Sequence, residues 1–456
     1  MAPRRILSTR TGLVAGLLVL LALAASGRAA ATPDIRHWTA DEGLEVYFVR
    51  TTALPMVDLE LTFDAGSARD GEHPGLARLT SNVLGEGAAG LDAGAIARRF
   101  EDQGARFSAS SDRDSASVRL RTLNDPETMS AAVEALSLVV GEPDFPGAAV
   151  DRERQRMLTA LRNNRQDPGY RAQEAFWEAL YGDHPYGHPP GGTEESLNAL
   201  ERADVRGFYR DYYVRGNATL AIVGDLSRAE AEAIANHLGE SLRPGAAPEP
   251  LPKPGPSVRA GETIHIPFDS SQSHVMMGQV GYARGNEDHF ALYTANHILG
   301  GSGLVSRLAQ QMREERGLSY SVGSRFTPME RAGPFLISTQ IRSDRTSEAL
   351  EVLRDTVTSL RNEGPEPDER ERAVENITGS FPLQLAGNRN ILAYVANIAF
   401  HDLPLDYLER FPERIKEVDR EAMVAAMQQH LEPESFVTVI VGPRDAEGET
   451  ADEGEQ

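Results

Sequence analysis

Two periods run through the hydrophobic positions of this chain. Val57, Leu59, Leu61 and Phe63 alternate with Asp58, Glu60, Thr62 and Asp64, a period of two that predicts a half-buried strand. Leu76, Leu79, Val83 and Leu84 instead keep helical spacing, as do Leu304, Leu308, Gln311 and Met312, whose helix should stop by Gly317. After that glycine Leu318, Tyr320 and Val322 alternate again. Longer helices are predicted over 126–141, 148–164 and 347–362. Strands and helices interleave along the whole length, which predicts an α+β class with mixed or antiparallel sheet.

The pattern also repeats. Gly104-Ala105-Arg106-Phe107-Ser108 lies 213 residues before Gly317-Leu318-Ser319-Tyr320-Ser321, each following an amphipathic helical stretch. The β-rich run from Asn217 to Gly224 lies 218 residues before the run from Ser435 to Gly442. Such constant offsets indicate two related halves. Between Pro244 and Pro256 the chain holds six prolines, a composition that favours extended backbone and excludes helix or central strand. The expected organisation is therefore a leader over 1–31, a first half over 34–243, a linker over 244–260, a second half over 261–444 and a short tail over 445–456.

Composition narrows the chemistry. The 456 residues include no cysteine, which removes thiol nucleophiles, iron–sulfur clusters, Cys-ligated zinc and disulfides. A formal charge of −22 with no segregated basic patch disfavours nucleic acid as a partner. At the N-terminus Arg4, Arg5 and Arg10 precede an apolar run from Gly12 to Ala25, and Ala29-Ala30-Ala31 offers a small-residue cleavage site. This is the pattern of a cleavable export signal, too short to span a bilayer comfortably. The expected location is periplasmic or secreted, without a lipid-modified cysteine and with no integral membrane segment after cleavage. Removal of its four arginines takes the formal charge to −26. The tail carries six acids and no apolar run, a composition expected to stay disordered.

Five segments in order resemble the insulinase/pitrilysin family of zinc metallopeptidases, in its short two-half form similar to mitochondrial processing peptidase. They are Gly75-Leu76-Ala77; Asp183-His184-Pro185-Tyr186-Gly187 with Gly192-Thr193; Tyr212-Tyr213 before Asn217 to Asp225; Leu299-Gly300-Gly301 leading to Ser306-Arg307-Leu308; and Arg316-Gly317-Leu318-Ser319-Tyr320. The resemblance covers roughly 35–443 and implies two homologous αβ halves. It also implies where an active member would carry H-x-x-E-H, on the helix after Gly-Leu-Ala, with two histidines as zinc ligands and the glutamate activating water. Those positions are Arg78, Ser81 and Asn82, and the third ligand falls at Ala160 or just before it. Arginine has only donors, serine is no base at neutral pH, and neutral Asn is a poor zinc ligand. No metal is expected in this chain.

His184 and His188 are four apart with Glu194 and Glu195 nearby, but Pro185, Pro189 and Pro190 argue against the helix a shared metal would need. In the second half the family uses an Arg and a Tyr seven positions apart to hold the scissile carbonyl, and Arg313 and Tyr320 match that spacing. The alternative is a solvated cation at a helix end and an ordinary aromatic. The glycine-rich loop Gly300, Gly301, Ser302 and Gly303 is a further expected substrate contact. The resemblance thus implies a chain inactive alone that pairs with a zinc-bearing, H-x-x-E-H homologue to hydrolyse peptides or unfolded polypeptides, zinc belonging to that partner. The other reading is a non-enzymatic scaffold or peptide-binding protein of the same fold.

Overall fold

The computed structural model describes residues 32–443; the expected export signal and acidic tail lie outside the described residues. The strand Met56–Phe63 forms where alternation predicts it, but it is buried on both faces. Val57, Leu59, Leu61 and Phe63 enter the core of the first half. On the other face Asp58 and Glu60, expected to meet water, are buried and paired across the strand Ala116–Leu123 with Arg121 at 2.6 Å and Arg119 at 2.7 Å. The half-buried expectation is corrected there, because opposite charges set directly across two antiparallel strands satisfy each other and let a helix cover them.

This first sheet runs in the order Ile35–Thr39, Glu45–Arg50, Ala218–Gly224, Met56–Phe63, Ala116–Leu123, Arg106–Ser111. The second sheet runs Thr263–Pro267, Val437–Gly442, Gln272–Val280, Pro334–Arg342, Ser319–Phe326. Apart from the extra edge strand Ile35–Thr39, the two orders are the same, and each contains one parallel pair, Glu45–Arg50 with Ala218–Gly224 and Thr263–Pro267 with Val437–Gly442. The repeat seen in the sequence is thus a repeat of topology.

The long helices occur at Pro126–Gly141, Gly147–Asn164 and Thr346–Glu363. The first starts on an Asp125 cap followed by Pro126, a strong stop-and-start signal. The two halves also exchange one helix each. Pro168–Tyr181 of the first half lies on the second sheet, where Ala172, Phe176, Ala179 and Leu180 pack with Val437, Val439 and Val441. Asn388–Phe400 of the second half lies reciprocally on the first sheet, where Ile391, Leu392, Val395 and Ala396 meet Tyr47, Val49, Ala221 and Val223.

The proline-rich segment does not hang free. Arg243–Ala246 pairs with Val214–Gly216 as a two-stranded ribbon. Beyond it the carbonyls of Glu249, Leu251 and Pro252 accept hydrogen bonds from Arg69, Arg331 and His184. Prolines leave carbonyls unpaired, and side chains of both halves take them up. No helix among the described residues is long and apolar enough to cross a membrane.

Candidate functional site

The helix Leu76–Val83 starts from Gly75 in a left-handed conformation, φ 97°, and is capped by the buried Asp70. That carboxylate accepts from the backbone N–H groups of Gly75 and Ala77, both at 2.7 Å. Burial pushes the Asp70 carboxyl up to about 8, against the pull of those two donors. So anchored, the helix turns Arg78 and Asn82, four residues apart, to one side. Ser81 points elsewhere: it is buried and its hydroxyl pairs with the Tyr213 hydroxyl at 3.1 Å, which burial holds protonated up to about 12.

Facing Arg78 and Asn82 is the helix Gly147–Asn164. Arg156, Ala160 and Asn164 follow one another at single-turn spacing, with Glu153, Met157 and Leu161 set deeper. Together with Tyr170 and Gly191 these residues line an open cleft of about 310 Å³. Three of the four positions singled out from the sequence, Arg78, Asn82 and Ala160, therefore share one cavity, and Ser81 does not. Glu153 was not among them, and it is the cleft's buried carboxylate. Its Oε1 accepts from Asn82 Nδ2 at 2.9 Å and its Oε2 from Arg156 Nη1 at 2.6 Å. The signal that could have found it is its place seven residues, two helical turns, before Ala160.

This donor set does not fit zinc. The cleft presents two guanidinium groups, two amides, a phenol and one carboxylate already engaged by two donors, and a guanidinium cannot coordinate a cation. Among the described residues no group of three or more His, Cys, Asp or Glu could hold a metal ion. His184 and His188 serve the loop instead. His184 Nε2 meets the Pro252 carbonyl at 3.0 Å and its Nδ1 accepts from the Tyr186 N–H, while the carbonyl of His188 takes a hydrogen bond from Arg113.

In the second half the expected helix is irregular. A π-helical turn at His297–Gly301, a 3₁₀ turn at Gly303–Val305, a short α-helical piece Arg307–Ala309 and a π-helical stretch Gln310–Glu315 follow one another. Arg313 sits in the last of these, and the strand Ser319–Phe326 brings Tyr320 beside it, with the guanidinium carbon 5.1 Å from the ring centroid. Tyr320 is 81% exposed, while the Arg313 side chain is one-third accessible, with the Glu314 carboxylate 3.5 Å from its Nε. Gly300 is buried, while Gly301 and Gly303 are exposed and Ser302 is intermediate. A Cβ at Gly300 would come within 2.4 Å of the Ser324 backbone N, so this glycine lets the loop lie against the strand. Beyond the loop Leu304 and Val305 are exposed.

Residues 46–194 match the family model Insulinase (Peptidase family M16), and residues 199–377 match Peptidase M16 inactive domain. A solved structure described as a peptidase M16 inactive domain, from Pseudomonas fluorescens, is 38% identical at a TM-score of 0.87, covering 90% of this chain and 98% of its own. The chain belongs to the M16, or insulinase, family. Among M16 relatives it is 24% identical over 399 residues to a non-peptidase homolog, YmxG, of Helicobacter pylori, covering 87% of this chain and 91% of that one. It is 33% identical over 242 residues to an uncharacterized zinc protease of Streptomyces coelicolor, a match spanning 52% of each protein, or about half of that relative's length. Within the M16 fold the chain is thus a peptidase-like homologue.

Proposed function

We propose that this protein is an exported, zinc-free M16 subunit that pairs with an H-x-x-E-H homologue and completes its peptide-hydrolysing site. The observation that carries the reading is the asymmetry between the halves. The first half has Arg78, Ser81, Asn82 and Ala160 where the resemblance would place the zinc motif, a set that does not fit zinc, while the second has Arg313 and Tyr320 side by side, the tyrosine exposed and the arginine one-third accessible beside Glu314. A guanidinium and a phenolic hydroxyl can hold a scissile carbonyl as it becomes an oxyanion, supplying charge and direction without changing protonation state. In this reading the partner provides zinc, water and base. This chain provides Arg313, Tyr320 and a wall that includes the exposed part of the Gly300–Gly303 loop. The exposed Leu304 and Val305 supply apolar contact for a bound polypeptide or for the partner.

The test is reconstitution. The chain is purified alone and mixed with an H-x-x-E-H homologue from the same cell, and size exclusion, zinc content and hydrolysis of an unfolded polypeptide are followed. The reading predicts a zinc-free, inactive single chain and an active complex with zinc in the partner. Hydrolysis by the single chain with about one zinc bound would overturn it.

A further inference from the structure

The cleft that stands where the M16 metal would lie is not featureless. Arg78 reaches over Gly191, its Nη1 3.4 Å from where a side chain there would begin, and among the described residues it makes no side-chain hydrogen bond or ion pair. Arg156 spends one nitrogen on Glu153 and is otherwise exposed, its side chain 66% accessible. Glu153 is buried and saturated by Asn82 and Arg156. Tyr170 is kept protonated, burial raising it to about 12, and beyond it Glu174 and Arg165 lie 3.7 Å apart and offset each other. Two guanidinium groups against one compensated carboxylate leave a single uncompensated positive charge, at Arg78, over a floor that includes Met157, Ala160 and Leu161. The protein around it carries a formal charge of −22, so an anion finds few such places on this chain.

We propose that this cleft is a carboxylate-binding site that takes the carboxylate of a peptide, at its C-terminus or on an acidic side chain. A guanidinium presents paired N–H donors in a fork that matches the two oxygens of a carboxylate. The floor accepts the apolar part of the adjoining residue, and about 310 Å³ has room for a residue or two rather than a folded surface. A cation-binding position has become an anion-binding one by the exchange of acceptors for donors on the same helix face. The proposal concerns the isolated chain and needs no partner, so its failure and that of the two-chain reading are distinguishable.

Isothermal titration calorimetry on the purified chain tests it with three neutral-backbone, N-acetylated alanine–leucine peptides. One has a free C-terminal carboxylate, one is amidated, and one is amidated but carries a single glutamate. The free acid is expected to bind at least about tenfold more tightly than the plain amide, the difference made by one charged hydrogen-bonded pair. Arg78→Ala should lower it to the amide's level, Arg78→Lys should retain part of the binding, and Ala160→Glu, which places a carboxylate of the chain's own in the cleft, should block it. Arg162→Ala, on the exposed pair with Glu194, should change nothing. If the glutamate peptide binds as the free acid does and depends on Arg78, a carboxylate is recognised in either position; if it behaves as the plain amide, only the terminal one is recognised. Equal affinity for the plain amide and both acidic peptides, no measurable binding of any, or binding indifferent to Arg78→Ala in a chain whose thermal unfolding is unchanged would overturn the proposal.

Discussion

Asp114 joins the halves through a small buried network. It accepts the Tyr186 hydroxyl and the backbone N–H of Glu330 at 2.8 Å, and Tyr186 in turn accepts from the N–H of Arg331 at 3.0 Å. Burial raises its carboxyl from 3.8 to about 7, so the folded state holds this proton more tightly than the unfolded chain. Its contribution to stability is complete below the unfolded value and falls as pH climbs toward about 7. Urea unfolding between those limits should therefore show wild type losing stability relative to Asp114→Asn as pH rises; parallel curves would count against it. The same scale shows what a sequence hides. That Arg78, Asn82 and Ala160 are not zinc ligands is legible from residue type alone. That Ser81 faces Tyr213 instead of the cleft, and that Glu153 lies inside it, depends on which side of each helix is turned inward.

At the scale of elements, the predicted helix over 126–141 has the bounds found, because Asp125, Pro126 and apolar spacing agree. The segment 303–316 was not legible in detail. Its apolar period is helical, yet the backbone passes through 3₁₀ and π turns, a hydrogen-bond register that side-chain periodicity does not encode. Nor does composition reveal that the proline-rich segment is pinned by Arg69, Arg331 and His184, since these partners are remote in sequence. The loop before Arg313 supplies a test. Gly300→Ala forces its Cβ into the Ser324 backbone and should cost more than the ~1–3 kcal/mol typical of overpacking. At Gly303, φ 65° with open space around it, alanine meets only backbone strain of about 1–2 kcal/mol. Thermal unfolding of the two variants should rank them in that order, and Arg313 and Tyr320 should be disturbed only in the first.

For the whole molecule, the duplicated topology was legible as a sequence repeat, but the exchange of helices was not. Nothing local in the sequence of the helices Pro168–Tyr181 and Asn388–Phe400 says which sheet they cover. Because each half lends a helix to the other's sheet, the halves should unfold together. Leu392→Ala removes a side chain of the second half from the core on the first sheet and should cost about 2–5 kcal/mol. Of the chain's two tryptophans, Trp38 packs against the core of the first half and Trp177 lies on the helix that covers the second sheet, so their fluorescence and the far-ultraviolet dichroism of the whole chain should shift together in one transition. Two separated transitions would mean independent halves. Halves joined in this way would suit the subunit proposed above, in which Arg313 and Tyr320 serve a partner's chemistry. The most direct measurement is turnover of the reconstituted pair with Arg313→Ala or Tyr320→Phe in this chain, alongside size exclusion. A fall in kcat of about 10²–10³-fold, the scale of losing one oxyanion donor, with the complex intact, is the predicted result. Unchanged turnover in an intact complex would contradict it and leave this chain a scaffold.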